Sequence, residues 1–186
     1  MSGEHSVYQP AEDTWLLIDC VSQTQLSGLV VEVGSGSGEV SRFLAEKGAE
    51  VVAIDISYAA AEATRSKCGP FLSRVHVVLG DKLSALRPSE RITLIVSNPP
   101  YLPSEGITDR AIYSGPTGAE FIKDLIEEST PFLEKKAKLL TIASTLSSPE
   151  AITEYAADKA LQVTRKSSRR LFFEEITCYE LSKATE

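Results

Sequence analysis

Leu29-Val30-Val31-Glu32-Val33-Gly34-Ser35-Gly36-Ser37-Gly38 decides the reading of this chain. Branched aliphatic residues make a short apolar strand, and glycines at alternate positions follow it at once. Val40, Phe43 and Leu44 then recur at helical spacing, and Gly48 closes that helix. Strand, glycine turn and helix in this order form the first half of a nucleotide-binding βαβ unit, where missing Cβ atoms let a ligand approach the backbone closely. The next strand, Glu50-Val51-Val52-Ala53-Ile54-Asp55, ends in an acid 21 residues beyond Gly34. From that position a carboxylate can accept hydrogen bonds from ribose hydroxyls.

The same alternation continues on both sides of this unit. Upstream, Tyr8-Gln9-Pro10-Ala11-Glu12-Asp13-Thr14 opens an amphipathic helix, with Pro10 in the first turn and acids near the positive end of its dipole. Leu16, Leu17, Cys20 and Val21 form its apolar face. Downstream, Ser57 caps an alanine-rich helix, Val75-His76-Val77-Val78-Leu79 is a third strand ended by Gly80-Asp81, and residues 91–97 are a fourth. Residues 103–116 make a long polar loop whose length suggests a lid or substrate contact. Thr117-Gly118-Ala119-Glu120 is a capping box for a helix with Phe121, Ile122, Leu125 and Ile126, expected to end near Pro131. Residues 137–143 read as a fifth strand, and Ser148-Pro149 begins another helix. Residues 161–166 and 172–182 read as two further strands joined by a basic loop. The pattern predicts an α/β fold, a doubly wound seven-stranded mostly parallel sheet with an antiparallel last strand, in one domain spanning residues 1–186.

Composition narrows the function classes. A net charge of −7 argues against a general nucleic-acid binder, because non-specific affinity for phosphates comes mainly from clustered Lys and Arg. Arg165-Lys166-Ser167-Ser168-Arg169-Arg170 is the local exception, a basic cluster able to meet an acidic or RNA-bearing partner. Cys20, Cys68 and Cys178 are far apart and include no Cys-x-x-Cys pair, so they read as thiols and not as metal ligands. No stretch is apolar for long enough to cross a membrane and the start lacks a signal-peptide pattern, which makes the cytoplasm the expected location.

The fourth strand runs directly into Asn98-Pro99-Pro100-Tyr101. In an open parallel sheet the ligand crevice lies at the carboxyl ends of the strands, so Asn98 presents its amide there. The two prolines preset their own φ, lack N–H groups and push the preceding residue out of the helical region, which stiffens the display. Such a device suits a planar nitrogen with hydrogens to donate: the Asn98 oxygen and a proline carbonyl accept them, and the Tyr101 ring packs on the plane. Amides and exocyclic amines fit that description.

A nicotinamide oxidoreductase is the first rival, but the dinucleotide pattern places its third glycine three residues beyond the second, where Glu39 stands. A carboxylate at Glu32 also suits a cationic amino group better than a pyrophosphate. Glu-Val-Gly-Ser-Gly-Ser-Gly, Asp55, Asp81 and Asn-Pro-Pro-Tyr together resemble the class I S-adenosylmethionine-dependent methyltransferases, with their Rossmann-like sheet. The segment from Tyr8 to Thr14 resembles the entry motif of the HemK-like branch, the archaeal and eukaryotic release-factor glutamine methyltransferases. Bacterial members carry an additional N-terminal helical domain, and a chain that begins at the cofactor fold points to that archaeal or eukaryotic branch.

The resemblance implies that Glu32 and Gly34 line the methionine end of S-adenosylmethionine, Asp55 takes the ribose hydroxyls, Asp81 receives the adenine amino group and Thr14 closes over the cofactor, with Gly36 and Asn98 also in the cofactor site. It implies that Asn98 and the Pro99 carbonyl hold the substrate amide while Pro100 and Tyr101 shape and stack the pocket. The implied reaction is methyl transfer to the side-chain N5 of a glutamine in a translation termination factor. Rivals are an adenine or other amino-group methyltransferase acting on nucleic acid, a protein-lysine methyltransferase, and a non-catalytic scaffold that kept the fold. The resemblance also suggests a heterodimer with a small zinc-binding activator. A physical motive for it is the third strand, which is strongly apolar, interrupted only by His76, and expected at a sheet edge.

Overall fold

A computed structural model of the chain describes residues 7–102 and 117–184. Seven strands, β1 (Leu29–Val33), β2 (Glu50–Asp55), β3 (Val75–Leu79), β4 (Ile92–Ser97), β5 (Lys138–Ser144), β6 (Leu161–Arg170) and β7 (Glu175–Lys183), form one sheet in the order β3-β2-β1-β4-β5-β7-β6. The neighbours from β3 to β5 pair in parallel, and β7 runs antiparallel to both β5 and β6. This is the expected doubly wound sheet, and β7 is its antiparallel member.

Alternation along the strands sends side chains to two cores. Val31, Val33, Ile54, Ile95 and Leu139 pack on one face with Ile122, Leu125 and Ile126 of α4 (Glu120–Leu133) and Ile152 of α5 (Pro149–Asp158). Val30, Val51, Ala53, Val96, Leu140 and Ile142 pack on the other with Leu16 and Leu17 of α1 (Glu12–Ser22) and Val40 and Leu44 of α2 (Glu39–Glu46). The fully buried Leu, Ile and Val side chains are each worth about 1.5–3 kcal/mol of transfer free energy, so both layers are anchored by burial and not by surface charge.

Ser57 caps α3 (Tyr58–Lys67), its hydroxyl accepting from the Ala60 N–H at 3.4 Å. Three expectations change in detail. Helix α1 starts at Glu12 with Ala11 as its cap, so Pro10 precedes the helix; the Thr14 hydroxyl accepts the Ala11 N–H at 3.3 Å and fixes the start there. Glu120 reaches back to the Thr117 N–H at 3.0 Å as a capping box requires, but the Thr117 hydroxyl accepts from Ala119 N–H at 3.3 Å and the helix begins only at Glu120. Helix α4 runs past Pro131 to Leu133, because the apolar anchors Phe132 and Leu133 lie beyond the proline and hold the last turn on the core.

The largest difference concerns the basic cluster, which is strand and not loop. Arg165 pairs with Glu175, Lys166 with Glu180 at 3.7 Å, and Arg169 with Glu12 and Asp19 of α1, so cross-strand and strand-to-helix charge pairs hold an exposed segment in the sheet. A register shift between Arg165 and Ser167 accommodates it. The long polar loop at 103–116 lies outside the described residues. Among the described residues no helix is long and apolar enough to cross a membrane.

Candidate active site

The sheet order reverses between β1 and β4, and the strand ends there open on a cavity of about 900 Å³. Crevices at such reversals are where open α/β sheets hold ligands, and this volume suits a cofactor together with a substrate side chain. Thr14, Glu32, Gly34, Gly36, Asp55 and Asp81 all line the cavity. So do Asn98, Pro99, Pro100 and Tyr101, so the structure brings together every site residue expected from sequence.

The glycine turn is stitched to the end of β2. Gly34 and Ser35 donate their N–H groups to the Ile54 carbonyl at 2.8 and 3.1 Å. Gly34 sits at φ +77° with open space where a Cβ would stand, which leaves the backbone accessible from the cavity. Gly38, at φ +80°, serves packing instead. A Cβ there would lie 2.7 Å from Cα of Thr64, so its absence lets α3 sit against the turn. Asp55 is preorganised. Its Oδ2 accepts the Gly36 N–H at 2.9 Å and its Oδ1 accepts the Ser57 N–H at 2.8 Å, leaving further lone pairs on both oxygens.

Glu32 is 3% exposed, with Oε2 in a short hydrogen bond from the Ser41 hydroxyl. Burial pushes its carboxyl up to about 8, the Ser41 bond pulling the other way and Asp55 adding to the rise. A cation entering the cavity would favour the ionised form. Asp81 stands at the rim with a largely exposed side chain, 3.2 Å from the Lys82 ammonium, which also reaches Glu128 at 3.5 Å.

Asn98 is held at the inner end. Ser97 ties β4 to β1 through its hydroxyl, which donates to the Val33 carbonyl at 2.8 Å. The Asn98 Nδ2 donates to Thr14 Oγ1 at 3.5 Å, and its Oδ1 is buried without a hydrogen-bond partner among the described residues. Buried acceptors are rarely left so, and the exception marks a place where a donor is missing. Thr14 is 6% exposed, wedged between helix and Asn98, and so is not ordinary helix surface.

Two residues not singled out from sequence complete the arrangement. Asp13, 4% exposed, accepts the Tyr8 hydroxyl at 2.8 Å and the Tyr101 hydroxyl at 3.1 Å through Oδ2, and the Thr14 N–H at 2.6 Å through Oδ1. Burial and the neighbouring Asp13 carboxylate push both phenols above their ordinary range. One carboxylate therefore fixes the Tyr101 ring, the Tyr8 ring and the helix start. A signal was present: Asp13 falls on the same helical stripe as Leu16, Leu17 and Cys20, an acid on an apolar face.

An α/β sheet with a glycine turn, acids at or just beyond the ends of the first three strands and Asn-Pro-Pro-Tyr at the reversal defines a methyltransferase of the Rossmann-like class. The chain matches the methyltransferase small domain family over residues 3–168. It is 30% identical to methyltransferase HEMK2 of Homo sapiens, over 96% of this chain and 90% of that protein. It is 31% identical to the release factor glutamine methyltransferase of Bacillus cereus, over 58% of this chain and 43% of that protein. The structure of the E. cuniculi Mtq2-Trm112 complex, responsible for methylation of the eRF1 translation termination factor, superposes with a TM-score of 0.81. That likeness covers 96% of this chain and 99% of the other at 22% identity. The chain belongs to the methyltransferase small domain family, in its HemK-like branch.

Proposed function

We propose that this chain methylates the side-chain amide nitrogen of a glutamine in a translation termination factor, using S-adenosylmethionine. The observation that carries the reading is the buried, unpartnered Oδ1 of Asn98 between the stiff Pro99-Pro100 segment and Thr14. The names borne by the human and Bacillus relatives support it.

The residues fit the cofactor. Asp55 offers free lone pairs at the end of β2 for ribose hydroxyls, Asp81 stands at the rim for an adenine amino group, and Glu32 answers a cationic amino group at the glycine turn. Bound there, S-adenosylmethionine supplies a methyl group on a sulfonium centre. Asn98 Oδ1 and the Pro99 carbonyl accept the two N–H hydrogens of the glutamine amide, and the Tyr101 ring bears on its plane. Those contacts turn the nitrogen toward the methyl and stabilise the positive charge that grows on it, acting by position and dipoles and not as a strong base. The cofactor would supply the methyl from its sulfonium, sulfur would keep the electron pair of the broken S–C bond, and one amide proton would leave to solvent as the N–C bond forms.

A nucleic-acid amino group fits the same tetrapeptide, but three of the four cations on β6 are already paired with acids, which leaves little field for a phosphate backbone. A small zinc-binding activator adds a strand at β3, an edge of the sheet where Leu79 is 57% exposed. The two work together in the cytoplasm. Incubation with labelled S-adenosylmethionine and a termination factor, followed by mass spectrometry, tests the reading: label on a glutamine N5 supports it, and label only on RNA or lysine overturns it. Asn98→Ala should abolish transfer with unfolding midpoint unchanged or raised, since it removes an unsatisfied acceptor.

A further inference from the structure

Residues 171–174 form the tip of the β6–β7 hairpin, closed by the Leu171 N–H donating to the Glu174 carbonyl at 2.8 Å. Phe172 and Phe173 project from it, 93% and 87% exposed, with ring centroids 4.9 Å apart and planes at 70°. Neither ring serves the core, which Leu161, Ile176, Cys178 and Leu181 of the same two strands already fill. Tips of this length ordinarily carry Gly, Asn or Asp, so two phenylalanines there have no folding rationale.

Their position supplies one. β7 begins beside the carboxyl end of β5, with Ile176 opposite Ser144, and β5 neighbours β4, whose next residue is Asn98. The tip therefore stands at the cavity end of the sheet, about 10 Å across two strand spacings from the Asn98 strand and beyond that strand's end, since Ser144 lies three residues past Thr141, the partner of Ser97. It is braced twice. Glu174 accepts a short hydrogen bond from the Ser144 hydroxyl at the end of β5, and Arg169 grips Glu12 and Asp19 of α1, the helix that carries Asp13 and Thr14. Leu171 packs into the same core as Tyr101. The backbone that carries the rings is thus braced on both sides.

We infer that this tip is the docking site for the methyl-accepting protein, with Phe172 and Phe173 entering an apolar depression on that protein and Arg170 meeting an acidic rim. The inference rests on the reading of the acceptor as a glutamine within a protein. Arg170 is exposed and makes no ion pair among the described residues, whereas Arg165, Lys166 and Arg169 are all paired, so the tip offers one free cation beside two apolar rings. That is the composition of a protein anchor, an aromatic pair with a free cation on one flank and, on the other, Glu174, whose carboxylate is taken up by the Ser144 hydroxyl. Single-stranded RNA needs the opposite: several free cations along a track and rings able to stack on successive bases, which two rings at 70° cannot both do.

The test compares wild type with Phe172→Ser/Phe173→Ser and with Arg170→Glu, each with its activator, on an intact termination factor and on a short glutamine peptide. The aromatic double variant should raise KM for the intact factor at least tenfold with kcat within twofold, and leave the peptide reaction and S-adenosylmethionine affinity unchanged. Arg170→Glu should raise KM severalfold, less at high salt. Unchanged KM for the factor overturns the docking role while leaving the glutamine reading intact. Equal losses on peptide and factor point to a damaged site and overturn it too. Loss of binding to a labelled single-stranded RNA with KM for the factor unaltered would reassign the tip to nucleic acid. A wild type that methylates neither factor nor peptide refutes the glutamine reading itself, and the docking inference with it.

Discussion

Replacing Asp13 by alanine should loosen the site and the fold together. The carboxylate accepts two phenol hydroxyls, from Tyr8 at 2.8 Å and Tyr101 at 3.1 Å, and one backbone N–H. Hydrogen bonds to charged groups contribute about 1.5–3 kcal/mol each, and both phenols are only half-buried, so water can recover part of the loss. Taking the low end for each phenol gives a destabilisation of about 3 kcal/mol for Asp13→Ala. Asp13→Asn, which keeps the shape and an acceptor oxygen but loses the charge, should lose about 1 kcal/mol. Urea denaturation of Asp13→Ala, Tyr8→Phe, Tyr101→Phe and the two double variants closes a cycle for each phenol, with coupling of about 1 kcal/mol expected in both. The Tyr101 ring, once released, should raise KM for the acceptor more than it lowers kcat. Asp13→Ala within about 0.5 kcal/mol of wild type, with no coupling to either tyrosine, would refute the clamp.

Glu32, held up at about 8 when folded against an ordinary 4.5, keeps a proton between those values that the unfolded chain has lost, so stability should fall as pH rises from about 5 to 8. Glu32→Gln should flatten that slope, and parallel urea midpoints for the two proteins across this range would exclude the assignment. Because a bound cation favours the ionised form, calorimetry of S-adenosylmethionine binding near pH 7 in buffers of different ionisation enthalpy should show proton release from wild type and none from Glu32→Gln. Asp55→Ala should weaken S-adenosylmethionine at least tenfold, read by the same calorimetry, and also lower stability by about 1–2 kcal/mol through the lost Gly36 and Ser57 bonds. Gly38→Ala should destabilise by about 2 kcal/mol or more, since the new Cβ meets α3 in a left-handed backbone; a shift of the urea midpoint too small for that would mean the helix yields freely.

The first five strands and their alternation with helices are legible because each is a short apolar run bounded by turn residues, and the glycine turn, Asp55, Asp81 and Asn98 fall where such runs end. What stays hidden depends on distant partners. The basic run of β6 reads as a loop until Glu175, Glu180 and the acids of α1, as many as 157 residues away, are seen to pair with it. Asp13 reads as a helix-dipole acid until Tyr101, 88 residues on, places its hydroxyl there. Glu32 reads as a charge facing a cation; that its carboxyl is buried enough to hold a proton near neutral pH follows from packing, which no spacing encodes. Pro131 suggests a helix end, but two apolar residues beyond it outweigh the single bond a proline removes so near the terminus.

The insertion of β7 between β5 and β6 has a consequence for synthesis. Lys183, the end of β7, follows Ser144, the end of β5, by 39 residues. At about 5–20 residues per second the nascent chain carries β5 with an open edge for roughly 2–8 s, its Leu139, Leu140 and Ile142 awaiting their cover. Helix α1, made first, can meet α2 early but completes its docking only when β5, β6 and β7 are in place. The nucleotide half can close early, whereas the helix that carries Asp13 and Thr14 gains its full cover only after the last strand threads home. A chain cut short before Glu175 would keep the glycine turn and lose part of the cover over α1 and the guard on its β5 edge, making such fragments candidates for chaperone capture and aggregation before they could bind anything.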